Sequence, residues 1–208
     1  MKEEKKCRLL KLFLIYIIAI IVGLLTAILF KGTKVYATVF YLVVIAGLYV
    51  YVKKENIMWR PWLGKANKEG TARIIVFTIF ILIFTAFILA LRTAIWKEGI
   101  TEDFTFDIFA FIGSCCLAPL TEEFVCRGIV VDILKEKHSN TFAVFVSAII
   151  FYIIHGNPMN VGAMVFGLFA GWVIIKAKSI IPGMIMHLMW NTVIFFLPVL
   201  ASNIANAI

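Results

Sequence analysis

Charge is scarce in this chain. Of 208 residues only 15% are Asp, Glu, Lys or Arg, while 62% are apolar; soluble domains run near roughly 25% and 45–50%. A soluble fold of this size would have to display its surplus Ile, Leu, Val and Phe at its own surface, so a water-soluble enzyme is excluded. A mean hydropathy of +1.00 excludes a disordered chain as well. Cysteine is sparse too. Cys7, Cys115, Cys116 and Cys126 have no C-x-x-C or other metal spacing, and they read as small apolar residues rather than as a disulfide framework. There is no internal repeat, which removes the usual support for an inverted-repeat transporter. No H-E-x-x-H helix and no G-x-G-D aspartate occurs, and Ser114 stands in Gly-Ser-Cys-Cys rather than G-x-S-x-G.

What the chain has instead is long apolar runs. A helix needs roughly 20 apolar residues to cross about 30 Å of hydrocarbon. Leu12–Phe30, Val35–Val52 and Ile74–Leu91 qualify without a charge. Phe104–Leu120 continues through the polar patch Thr121-Glu122-Glu123 into Phe124–Leu134, and Thr141–Ile154, Val161–Ile175 and Ser179–Leu200 follow. The expectation is an all-α, polytopic bundle of seven transmembrane helices, or eight if the uneven stretch 104–137 holds two. The first run is too long for a signal-peptide core and is expected to stay as an anchor. The whole of 1–208 is read as one integral membrane domain, with 1–103 as scaffold spans and 104–208 as the half that carries the chemistry.

The net charge of +8 would point to nucleic acid in a soluble protein. Seven crossings give it another cause. Sixteen of the twenty basic residues then fall on one side, before span one, between spans two and three, and before spans five and seven. Only Lys31, Lys34, Arg92 and Lys97 fall on the other. The positive-inside rule places the N-terminus in the cytoplasm of a multi-pass cell-membrane protein, and no nucleic-acid partner is needed. Trp59 and Trp62, among the cations of Lys53–Arg73, are expected in a segment lying on anionic lipid.

Ionisable side chains inside spans cost several kcal/mol and default to function. They are concentrated in the second half: Asp107, Glu122, Glu123, Arg127, Asp132, His155 and His187, with Asn191 as a polar neighbour. At a rise of about 1.5 Å per residue, Glu122 lies about 22 Å from Lys137, His155 about 21 Å past Thr141, and Asn191 about 19 Å past Lys178. These groups are expected to meet in one layer, open to the cytoplasm. Glu123 and Arg127 share a helix face at i, i+4, as do His187 and Asn191, while Glu122 turns about 100° away from Glu123. Phe151 sits one turn before His155 and can wall off its imidazole. Pro119 frees a backbone carbonyl just before the carboxylates.

A glutamate in a half-dry pocket can act as general base toward water, and a histidine can share that water or protonate a leaving amine. His187 and Asn191 can offer N–H groups to an oxyanion. Equally, Glu122, His155 and His187 are three N/O ligands of the kind a catalytic zinc uses. The residues permit both a metal-free and a zinc-dependent peptide hydrolase.

Three motifs sharpen this. Glu122-Glu123-Phe-Val-Cys-Arg127 fits E-E-x-x-x-R, Phe151-Tyr-Ile-Ile-His155 fits F-x-x-x-H, and His187-Leu-Met-Trp-Asn191 fits H-x-x-x-N. In this order, on membrane segments, they resemble the CPBP intramembrane proteases, the CAAX-prenyl-protease and bacteriocin-processing or Abi group. The resemblance covers Phe104–Asn191, with Gly162, Gly167 and Gly171 fitting a glycine-rich helix between the last two motifs. It implies an intramembrane endopeptidase acting on a membrane-associated peptide or lipidated protein, prenylated or leader-bearing. By that resemblance Glu122 and His155 activate the water, His187 and Asn191 hold the oxyanion, and Glu123 with Arg127 supports the site. It leaves open whether zinc takes part.

Each residue also has a plainer reading. Glu122 and Glu123 can cap a cytoplasmic helix, His155 can sit in an outer turn, and His187 can be a packed core imidazole. Asn191 can be interhelical glue, and Gly167-x-x-x-Gly171 a close helix contact. Two other function classes use the same cavity: a non-catalytic immunity or adaptor protein that holds a peptide, and a proton-linked transporter.

Overall fold

The computed structural model describes residues 2–57, 62–64, 105–155 and 161–205, with scattered positions between 72 and 87. Its helices are α1 (Lys2–Leu29), α2 (Val35–Lys54), α3 (Ile108–Lys135), α4 (Asn140–Ile154), α5 (Val161–Ala177) and α6 (Ile181–Ala205). The described positions between 72 and 87 are helical as well, and no strand occurs among the described residues. Most of the expected span Ile74–Leu91, and Trp59, lie outside the described residues.

This is a helical membrane bundle, as the composition requires. Three stretches, Leu10–Leu29, Val35–Lys54 and Ile108–Lys135, are long and apolar enough to cross a bilayer, and α4, α5 and α6 supply shorter apolar helices. On α1, Phe13, Leu24 and Ile28 are each at least 60% exposed. Outward-facing apolar side chains of this kind belong against lipid. Inward, Ala19, Val44, Leu48, Val125 and Ile129 form a core joining α1, α2 and α3.

The uneven stretch 104–137 resolves into one helix, not two. Asp107 starts α3, its carboxylate accepting from the N–H groups of Phe109 and Ala110 at 2.8 and 3.0 Å and from Lys34 N–H at 3.1 Å. The Ala110 amide, with those of Lys34 and Phe109, holds the Asp107 carboxyl below the usual carboxylate range. Within α3, Ile112–Leu117 and Phe124–Val130 are π-helical, and Ala118–Glu123 between them is α-helical. Widened turns of this kind leave backbone groups to be satisfied from outside. In the first, Ala118 N–H bonds Gly113 O, and residue 119 is proline with no N–H to give. The Ser114 carbonyl is thereby stranded, and Asn191 Nδ2 of α6 donates to it at 2.7 Å. In the second, Cys126 O already accepts from Val131 N–H within the helix, and Ser147 Oγ of α4 adds a second donor at 2.8 Å. Each π segment is thus pinned by a polar side chain from a neighbouring helix.

Ser139 caps α4 by accepting from Phe142 N–H. The α4–α5 pair packs closely through glycine: a Cβ built on Gly167 would lie 3.1 Å from Ala148, and one on Gly171 2.8 Å from Val144 Cγ1. Trp62 departs from the expectation of a segment lying on lipid. Its ring meets Phe124 edge-on at 5.5 Å and covers Gly128, and its carbonyl accepts from Ile180 N–H at 2.8 Å. An apolar ring gains more by filling this recess in α3 than by lying at the interface. Leucine at Gly171 is expected to lower stability in detergent by about 1–3 kcal/mol through overpacking. Thermal unfolding checks this against Trp172→Leu, whose parent side chain is partly exposed and should matter little.

Candidate active site

The central α-helical turn of α3 carries both carboxylates, and each faces a different neighbour. Glu123 is fully buried and Glu122 is 7% exposed. Glu123 Oε1 lies 3.2 Å from Arg127 Nη1, the i, i+4 pair anticipated from the sequence, with both side chains sealed from solvent. The contact is close but not aligned as a hydrogen bond; its strength is Coulombic attraction in a low dielectric. Arg127 is held from two further sides. Nη2 donates to Gly167 O at 3.3 Å, and the guanidinium stacks 4.3 Å over the Phe151 ring.

The same Glu123 Oε1 also faces His187 Nδ1 at 3.1 Å, a partner that helical spacing on α3 alone does not reveal. By this hydrogen-bond pattern the Nδ1 proton points at Glu123, which leaves the Nε2 lone pair facing the cavity. His155 is arranged in parallel. Its Nδ1 lies 2.7 Å from Phe151 O, so its Nε2 is directed away from its own helix. Both Nε2 atoms stand 3.9 Å from Glu122 Oε2. That oxygen is buried and makes no hydrogen bond to the protein. Phe151 packs against both imidazoles, with ring centroids 4.4 Å from His155 and 5.4 Å from His187. Phe166 closes on His187 from the other side at 4.8 Å.

Glu122 has a second partner that sequence reasoning missed. Tyr41 Oη of α2 donates to Glu122 Oε1 at 2.6 Å. The signal in the sequence was faint: a tyrosine in the interior of a span, where tyrosine ordinarily marks the interface. It means that residues 1–103 supply more than scaffold.

All six anticipated residues, Glu122, Glu123, Arg127, His155, His187 and Asn191, are therefore brought together. Four of them (Glu122, His155, His187 and Asn191) line a cavity of about 410 Å³ with Tyr41, Ser114 and Trp190, while Glu123 and Arg127 lie behind its wall. Asp132 is instead paired with Lys135 at 3.5 Å, outside the cluster. Asn191 differs from expectation in part: one of its N–H groups is committed to Ser114 O, which leaves the other for the cavity.

Around the site Cys126, Phe151, Phe166 and Met186 belong to one buried apolar cluster.

Zinc can be tested against these positions. Neighbouring ligands around a tetrahedral zinc with bonds of about 2.1 Å lie about 3.4 Å apart, whereas Glu122 Oε2 stands 3.9 Å from each imidazole. Among the described residues no group of three or more His, Cys, Asp or Glu is arranged to hold a metal ion. The spacing does not fit zinc. It does suit a water about 2.8 Å from each partner.

Comparison with known proteins places the second half of the chain. Residues 103–193 match the family model described as Rce1-like, type II CAAX prenyl endopeptidase. No curated protein and no solved structure matches the chain.

Removing Arg127 strands Glu123 in the interior. Arg127→Met is expected to destabilise the protein by about 3–5 kcal/mol. The double variant Glu123→Gln/Arg127→Met should recover most of that loss, because glutamine keeps an acceptor for His187 without a charge. Thermal unfolding in detergent measures both.

Proposed function

Since residues 103–193 match the family model described as Rce1-like, type II CAAX prenyl endopeptidase, we propose that this protein is a multi-pass intramembrane endopeptidase. It hydrolyses a peptide bond in a membrane-held substrate, prenylated or leader-bearing, with water activated by Glu122. The observation that carries this reading is the convergence of Glu122 Oε2 with two imidazole nitrogens, each 3.9 Å away, across a gap that suits one water. Tyr41 fixes the other carboxylate oxygen, so the free oxygen is the one aimed at that gap.

In the proposed reaction the water gives its proton to Glu122 Oε2 as its oxygen adds to the scissile carbonyl carbon. Negative charge grows on the carbonyl oxygen. In this reading the second N–H of Asn191 stabilises it, together with His187 once that ring carries a proton on Nε2 as well. Glu123 beneath His187 stabilises that ring when it is protonated, much as an acidic partner orients the histidine of a triad. Collapse of the tetrahedral species breaks the C–N bond, and the proton held by Glu122 or an imidazole passes to the departing amine. Arg127 does not touch the reacting atoms; it neutralises Glu123 and keeps that carboxylate in place. No metal enters these steps, because the ligand spacing does not suit one.

The test uses the purified full-length protein in nanodiscs, with a farnesylated CAAX peptide and an unprenylated leader-type peptide as probes. Mass spectrometry reads the products. The wild-type protein is expected to cleave one of them, and Glu122→Gln and His155→Ala to lose about 10²–10⁴-fold in rate while still inserting and folding. Cleavage by Glu122→Gln at the wild-type rate would sink the proposal. Tyr41→Phe removes a hydrogen bond to a charged group worth about 1.5–3 kcal/mol, and kcat should fall about ten- to a hundredfold. A chelator is expected to leave the wild-type rate unchanged; loss of activity restored by zinc would instead establish the metal-dependent form. Flux into sealed vesicles driven by a proton gradient, with no cleavage, would favour the transporter.

A further inference from the structure

We propose that a second cavity, an apolar groove between α2, α3 and α6, holds an acyl chain of an anionic phospholipid whose phosphate meets Lys53 and Lys54. The inference does not depend on the protease reading.

The groove encloses about 380 Å³ and shares no lining residue with the cavity at Glu122. Its α2 wall is Ile45, Leu48, Tyr49 and Val52, a stripe at i, i+3, i+4 and i+7. Thr121 of α3 and Met184 of α6 face that stripe. The Thr121 hydroxyl is spent on its own helix, donating toward Leu117 O and Ala118 O at 2.9 and 3.1 Å. Leu48 is 6% exposed and forms the base, while Tyr49 at 61% stands at the rim. A recess with so little to offer a hydrogen bond does not hold water. In a membrane bundle it is filled by hydrocarbon.

Charge at one end selects the kind of lipid. Val52 is followed directly by Lys53 and Lys54, in the last turn of α2. Lys53 Nζ is drawn back one turn over the Tyr49 ring, 4.8 Å from its centroid. Its charge therefore sits on the groove's rim and away from the carbonyl end of the helix. Neither lysine has an acidic partner among the described residues, because the neighbouring Glu55 is taken by Arg8 and Lys11. The stretch from Lys53 to Arg73 carries six basic residues against Glu55 and Glu69. An acyl chain lying in the groove thus ends beside two uncompensated cations, which suits a phosphate-headed lipid. A substrate's lipid anchor has no phosphate for them to meet.

The position gives the lipid a structural effect. Each wall carries a residue of the candidate site within about one turn: Tyr41 precedes Ile45, Glu122 follows Thr121, and His187 follows Met184. A chain wedged between these three helices braces the site from outside its cavity.

Lipid titration of the purified full-length protein, delipidated in detergent, tests this. Phosphatidylglycerol and phosphatidylcholine with the same acyl chains are the probes. Native mass spectrometry is expected to show one phosphatidylglycerol retained per protein, bound about ten- to thirtyfold more tightly than phosphatidylcholine on account of the two lysines. The thermal unfolding midpoint should rise with phosphatidylglycerol and not with inorganic phosphate, which lacks the chain. Lys53→Gln/Lys54→Gln alters exposed positions, so it should fold normally and bind the two lipids equally well. Ile45→Trp fills the groove and should weaken retention of both. Equal affinity for the two lipids in the wild-type protein would overturn the proposal, as would an unchanged preference in the lysine variant or an equal rise with phosphate alone. Displacement of phosphatidylglycerol by a farnesylated peptide would assign the groove to a substrate's anchor and overturn it too. These readouts need no turnover, so an inactive protein with this lipid selectivity would count against the protease reading alone.

Discussion

The structure depends on keeping a second carboxylate buried next to a first. Two adjacent glutamates in a helix surrounded by lipid-facing helices would each cost several kcal/mol if left unpaired. Glu123 is sealed completely, and a chain of contacts makes that tolerable: Arg127 on one side, His187 on the other, Phe151 over the guanidinium and the Gly167 carbonyl at its tip. Glu122 by contrast has Tyr41 on one oxygen and turns the other toward two imidazoles. The pair is thus asymmetric by construction, one carboxylate sealed among fixed partners and one facing the cavity.

This asymmetry explains the distortion of α3. An undistorted α-helix would satisfy its own backbone and give α4 and α6 nothing to grip. The two π segments on either side of the carboxylates offer carbonyls outward, and Asn191 and Ser147 take them. The turn that carries Glu122 and Glu123 is therefore clamped above and below by neighbouring helices. For catalysis by positioning such rigidity has direct value, since a misplacement of about 1 Å can cost about a hundredfold in rate. Asn191 is both a helix tie, through its bond to Ser114 O, and part of the cavity wall.

Much of this was legible in the sequence because charge is so scarce in the spans that each exception stands out. The i, i+4 spacing of Glu123 and Arg127 forced their contact, and helix rise alone brought Glu122 and His155 to similar depth. The extra freedom at Pro119 was visible as a missing N–H. Two things were not visible. Tyr41 lies far from Glu122 in the chain, and only tertiary packing of α2 on α3 brings them together. Trp62 read as interfacial because its neighbours are cations, yet the notch left by Gly128 takes its ring.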